Sequence, residues 1–169
     1  MSEPAIVERE DGFLIGSNFP EREGTKPYQR AAYWIGQTFP EVEDFDRICG
    51  SAYSLAAWTE WDGQPRYYLG PWVKEIGYVP ENMDALRLPG GTFAAFPVPE
   101  SGDNSILWED MWATWYFALS QWLPESEWER DESRIAFEYY FTSQRLNDTN
   151  YVYVPVKPRA QAAAPLENT

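Results

Sequence analysis

Phe137-Glu138-Tyr139-Tyr140 sets one carboxylate inside an aromatic, strand-like run of a chain that contains no histidine. Successive side chains of a strand point to opposite faces. Ile135, Phe137, Tyr139 and Phe141 therefore share one face, and Ala136, Glu138, Tyr140 and Thr142 share the other. The first set reads as core, so Glu138 and Tyr140 are expected on a face that is not fully packed. A carboxylate among aromatic rings can pair with a cationic lipophilic ligand, or act as a base in a water-poor site. With no histidine in the chain, a carboxylate is the natural base. The competing reading is a strand glutamate satisfied by neighbouring tyrosines, and the pattern alone favours neither.

Other residue types offer less chemistry. Cys49 is the single cysteine, so no intramolecular disulfide can form, and it has no histidine to serve as a base for nucleophilic catalysis. The acidic stretches 41–46 and 125–132 read as solvated loops. The first lacks the glycine and the terminal glutamate of a calcium loop, so no metal site is expected. Pro89-Gly90-Gly91 is a bend in a strand rather than a phosphate cradle, and no cofactor is expected.

The chain has 169 residues, the length of a single domain with a sizeable core. Its 9 Trp, 11 Tyr and 9 Phe exceed what such a core needs, which directs part of the ring surface to a cavity or an interface. The formal net charge of -14 argues against direct nucleic-acid binding, which needs clustered Lys and Arg, and against adsorption to anionic membranes. A hydrophobic aromatic or cationic small molecule fits better, and exposed rings leave a homodimer open. Residues 1–10 carry no apolar leader and no run reaches transmembrane length, so a cytoplasmic location is expected.

The elements that must position Glu138 follow a repeating order. Residues 1–12 are expected to be a flexible acidic N-terminus, and 158–169 a disordered tail. Between them, residues 13–19 read as a strand. Tyr28, Ala31, Ala32, Ile35 and Phe39 then fall on one helix face, and Pro40 stops that helix. Strand-like runs at 53–61 and 66–74 are joined by Asp62-Gly63, a hairpin signal. The second half repeats the order: extended residues 83–98, a helix over 105–123 closed by Pro124, and strands at 135–142 and 151–157. The expected fold is α+β, with two β-α-β-β units (about 13–78 and 83–157) forming a mostly antiparallel sheet. Two helices cover one side, and a ligand cleft lies between the units.

Alternation extends the facing argument. Val152, Val154 and Val156 suit a helix-covered core, which turns Tyr151 and Tyr153 away; Leu69 and Val73 do the same for Tyr68 and Trp72. For 53–61 either Trp58 or the Leu55, Ala57, Trp61 set faces inward. The expected concave surface joins Glu138, Tyr140, Tyr153, Tyr68 and Trp72. Trp108, Trp112, Trp115, Leu119 and Trp122 form a helical stripe that reads first as core, although Trp112, Tyr116 or Trp115 can reach the cleft.

On these residues the chain resembles the GyrI-like effector-binding family, most strongly over 83–156. Leu86-Arg87-Leu88-Pro89-Gly90-Gly91-Thr92-Phe93-Ala94-Ala95-Phe96 is similar to that family's Pro-Ala-Gly-x-Tyr/Phe-Ala-x-Phe strand. Trp122-Leu123-Pro124-Glu125-Ser126 resembles its helix end, Phe137-Glu138-x-Tyr140 its acid-bearing strand, and Tyr151-Val152-Tyr153-Val154-Pro155-Val156 its closing strand. Tyr68-Leu69-Gly70-Pro71-Trp72-Val73 is similar to the corresponding strand of the first half. Gly91 departs from the pattern, since a different small or polar residue is usual there, and the acidic loop of the first half has no counterpart. The resemblance implies a cleft for hydrophobic, often cationic, compounds with the acid of Glu138 at its floor and Phe96 among the ligand contacts.

The resemblance also implies an activity. Some stand-alone family members hydrolyse cyclopropane-bearing DNA-alkylating natural products and so confer self-protection or resistance. By that likeness Glu138 would activate water, and Tyr140 or Tyr153 would donate to the oxygen that gains charge as the ring opens. The alternatives are a non-catalytic binding or sequestering module for lipophilic cations, and a gyrase-modulating protein. The length leaves no expectation of a separate DNA-binding domain.

Overall fold

Strand-period alternation runs through most of the chain, and an antiparallel sheet is the result. The computed structural model describes residues 1–20, 48, 54–61, 64–81, 83–99, 107–141 and 150–160. Its strands are β1 Ala5–Arg9, β2 Gly12–Pro20, β3 Ser54–Trp61, β4 Gln64–Val73, β5 Asp84–Leu88, β6 Gly91–Pro97, β7 Trp128–Arg130, β8 Phe137–Phe141 and β9 Tyr151–Pro158. They lie in the order β1-β6-β9-β8-β3-β4-β2-β5, with β7 paired to β9. All these pairings are antiparallel. Helix α1, Leu107–Tyr116, runs on as a π-helical stretch, Phe117–Trp122, and a last turn, Leu123–Glu125. The fold is α+β as the element order predicts. The helix expected over 28–39 lies outside the described residues, as do Cys49, the 41–46 loop and Asp62-Gly63.

The sheet is strongly curled. β5 and β6 follow one another through Pro89-Gly90 yet belong to opposite ends of the strand order. Leu86 and Leu88 of β5 nevertheless share one buried cluster with Phe93 and Ala95 of β6, Leu14 of β2, Tyr68 of β4, Phe137 of β8 and Tyr153 of β9. Strands from both ends can meet in one cluster only if the sheet bends around it. The concave face is therefore a core of its own rather than an open floor. Each large apolar side chain buried there contributes roughly 1.5–3 kcal/mol relative to exposure. Val152, Val154 and Val156 point to the other face and are buried as well.

The N-terminus departs from expectation. Ala5–Arg9, charged and short, is an edge strand that pairs Ala5 with Ala95, Val7 with Phe93 and Arg9 with Gly91. Val7 packs against the concave cluster, while Ile6 and Glu8 face out. The ladder to β6 and the Val7 contact hold it in place, and its charged Glu8 and Arg9 suit an edge. Helix α1 also differs in detail. Met111, Thr114 and Ala118 form its buried face, whereas Trp112 is 65% exposed, so the tryptophan stripe is only partly core. Pro124 does not stop the helix; it sits in the last turn.

Arg134 locks β6 to β9 beside the site. Its guanidinium donates to the carbonyls of Gly90, Thr92 and Val156 and to Asp131, and stands 4.9 Å from the Phe93 ring centre. Ser133 and Arg134 together hold the Asp131 carboxyl at a pKa of about 2. Gly91, with φ +123°, adopts a backbone region that glycine favours, and a Cβ there would strike the Arg134 guanidinium. This explains the glycine at a position where the resembling family prefers another residue.

Candidate ligand-binding site

Register decides which predicted site residues meet. Phe137 pairs with Tyr153, Glu138 with Val152 and Tyr139 with Tyr151. Paired residues share a face, so Phe137 and Tyr139 join the tyrosines on the concave face, and Glu138 joins the valines beneath α1. This reverses the expected facing of β8. Both faces are covered, so an apolar residue such as Phe137 does not mark the helix side; a one-residue change of phase flips the whole set. The expected surface containing Glu138 together with Tyr153, Tyr68 and Trp72 is accordingly divided between two faces.

On the helix side, Glu138 is 5% exposed and accepts a hydrogen bond of 2.8 Å from Trp115 Nε1. Burying a carboxylate is costly unless hydrogen bonds replace water, and the indole supplies one. Ala57 of β3 pairs with Glu138, and Leu55 with Tyr140; the Tyr140 side chain lies outside the described residues. Phe96 is on this side too, packed edge-on against Phe117 and Trp122 at 6.1 and 5.3 Å. Trp112 and Tyr116, 65% and 63% exposed, point away from the sheet. Beside the π-helical stretch lies an open groove of about 600 Å³ lined by Glu3, Phe117, Gln121, Trp122, Glu125 and Ser126.

On the concave side the rings converge. Phe137 stacks on Tyr153 at 5.2 Å, and Tyr139 and Tyr151 each stand 5.8 Å from Tyr153. Trp72, Tyr139 and Tyr151 are half-buried at the edge of the cluster, so their rings are partly open to a ligand. Gly12 makes room for the Trp72 indole, which would collide with a Cβ there. Arg9 reaches across from β1, its guanidinium carbon 4.5 Å from the Tyr153 ring centre, 4.9 Å from Tyr139, 5.4 Å from Trp72 and 5.5 Å from Phe137. Such distances are those of cation–π contacts. Burial raises the Tyr153 hydroxyl pKa against the opposing pull of Arg9, and burial likewise raises that of Tyr68.

Tyr68, Trp72 and Tyr153 thus meet as expected from β4 and β9, with Phe137 and Tyr139 added and Glu138 removed. Arg9 escaped sequence reasoning. Its only signal is the alternation of Ala5, Val7 and Arg9 in a charged segment. Among the described residues no three acids or thiols gather to hold a metal ion, and no helix is long and apolar enough to cross a membrane.

Comparison with known proteins gives the architecture a context. The protein SAV2435, solved bound to tetraphenylphosphonium, superposes with a TM-score of 0.60 at 15% identity, covering 92% of this chain and 94% of that one. A transcription regulation protein of Staphylococcus aureus MU50 gives 0.59 at 15% identity, covering 93% and 99%. The C-terminal domain of EcmrR gives 0.56 at 15% identity, covering 93% and 98%. At these identities the likeness is one of fold. No curated protein matches the sequence. The GyrI-like small molecule binding domain matches residues 26–157, most of the chain, and the protein therefore belongs to the GyrI-like small-molecule-binding family.

Proposed function

We propose that this chain is a binding module for hydrophobic aromatic small molecules, captured against the concave ring cluster. The observation that carries this reading is the set of half-buried rings, Trp72, Tyr139 and Tyr151, backed by buried Phe137 and Tyr153. Flat apolar ligands gain both area burial and stacking on such a surface. The complex of SAV2435 with tetraphenylphosphonium supports it, since a protein of this fold takes an aryl-rich ligand. The test is calorimetric titration with uncharged 2-naphthol. Saturable binding that Trp72→Ala and Tyr139→Ala weaken, while Glu138→Gln leaves it unchanged, supports the reading. No heat from the wild-type protein overturns it.

A second reading rests on Glu138. A carboxylate buried beneath α1 next to an indole has the setting of a general base. Hydrolysis of a cyclopropane-bearing alkylator would add the water oxygen to a ring carbon and break one ring bond. The freed electron pair would pass to a conjugated oxygen, and the proton taken up by Glu138 would return to that product. Tyr153 faces the opposite side of the sheet, so it falls outside this scheme as a hydrogen-bond donor to the developing oxyanion. Mass spectrometry of water addition by wild type against Glu138→Gln decides it; equal product from both proteins, or none, removes the hydrolase.

A further inference from the structure

Among the described residues the cations are spent on carboxylates or carbonyls, with one exception. Lys74 pairs with Glu10, Arg87 with Asp11, Arg130 with Glu132, Arg134 with Asp131 and Lys157 with Glu129. Arg159 donates to the carbonyls of Leu123 and Trp128. Arg9 instead meets rings: Trp72, Phe137, Tyr139 and Tyr153 surround its guanidinium at 4.5 to 5.5 Å. The Tyr153 hydroxyl is a polar neighbour there. Asp84 lies on the same face but engages Tyr68. No carboxylate among the described residues pairs with Arg9.

A guanidinium carries five N–H donors in a planar fork, and ring faces satisfy its charge without accepting most of those donors. Arg9 is itself half-buried, so the donors are held at the edge of the aromatic surface where a stacked ligand would end. The carboxylate best placed to attract a cation, Glu138, faces the opposite side of the sheet. The overall charge of -14 does not cancel this arrangement. Exposed charges are screened beyond about 8 Å at physiological ionic strength, while Arg9 acts at contact distance.

We infer that Arg9 is the specificity-determining residue of the concave site, making it select planar aromatic ligands that carry an anionic oxygen, such as a carboxylate, and disfavour lipophilic cations. The inference rests on the binding reading above and adds the ligand's charge. β1 also lies outside residues 26–157, so Arg9 is a property of this chain rather than of the matched family segment. The ring system of the ligand stacks on Trp72 and Tyr139, and its carboxylate accepts two N–H bonds from the Arg9 fork. A cation such as tetraphenylphosphonium would meet Arg9 at close range and be repelled.

The experiment is calorimetric titration of wild type, Arg9→Gln and Arg9→Lys with 2-naphthoate, 2-naphthol and tetraphenylphosphonium, with melting temperatures confirming that each variant folds. Wild type should bind 2-naphthoate about tenfold or more tightly than 2-naphthol, the scale of a charge-assisted hydrogen bond, and tetraphenylphosphonium most weakly. Arg9→Gln should remove the naphthoate preference and tighten tetraphenylphosphonium. Arg9→Lys, which keeps the charge without the fork, should retain part of the preference. Tetraphenylphosphonium binding wild type as tightly as naphthoate, or an unchanged order in Arg9→Gln, would overturn the inference while 2-naphthol binding leaves the aromatic site standing. If none of the three ligands binds, the aromatic site itself is wrong, and the role of Arg9 falls with it.

Discussion

Trp115 and Glu138 join helix to sheet through a 2.8 Å hydrogen bond, indole to carboxylate, and the acid lies on the face opposite Tyr153. That bond is a polar contact between α1 and β8 on the covered face. Trp115→Phe keeps an aromatic ring, smaller than the indole, and deletes the donor. It should destabilise the fold by about 1–3 kcal/mol, the usual cost of depriving a buried acceptor of its partner, read from urea unfolding. An unchanged midpoint would mean that other contacts of Glu138 carry the carboxylate.

Trp112 and Tyr116 provide the contrast on the same helix. Both are more than 60% exposed. Trp112→Ala should shift stability by no more than about 0.5 kcal/mol, as surface substitutions do, and leave 2-naphthol binding intact. A large loss of either would place Trp112 in an interface.

Sequence legibility divides along the same line. Alternation in Tyr151 to Val156 and in Tyr68 to Trp72 assigns those residues correctly, because valine or leucine stands next to a bulky polar-tipped ring at Tyr151, Tyr153 and Tyr68. The same rule applied to Phe137-Glu138 gives the two faces but not which lies under the helix, since both faces are buried. The tryptophan stripe misleads for a different reason. Its indoles run one residue out of step with the packed face, which Met111, Thr114 and Ala118 form, and the helix is still regular at exposed Trp112. Arg134 and Arg9 are illegible because their partners are far away in sequence: carbonyls of Gly90 and Thr92 for one, four rings on three strands for the other.

Acid should loosen the β6–β9 junction late. The Asp131 carboxyl has a folded pKa of about 2, below its ordinary value near 3.8. A lowered acid stabilises the fold fully above the ordinary value, and the contribution fades as pH falls from about 4 to about 2. Asp131→Asn should abolish that portion of the pH dependence in thermal melts. An identical slope in the variant would assign the effect to other carboxyls.

Alkali should act on the concave core. The hydroxyls of Tyr68 and Tyr153 have raised pKa values because burial disfavours the phenolate. Their contribution to stability is complete below the ordinary tyrosine value of about 10 and is lost as pH climbs through the raised values. Absorbance at the tyrosinate band should therefore show two rings ionising only together with unfolding. Full, reversible ionisation of every tyrosine in the folded protein would contradict the packing of this face.

The proposed site takes ligands on the ring face and not at the carboxylate. Titration of 2-naphthol into Trp72→Ala and Glu138→Gln tests it directly. The ring-face account predicts at least about a tenfold weaker Kd for Trp72→Ala, the scale of one stacking contact, and a Kd within twofold of wild type for Glu138→Gln. Binding that survives Trp72→Ala and is lost in Glu138→Gln would contradict it and move the site beneath the helix.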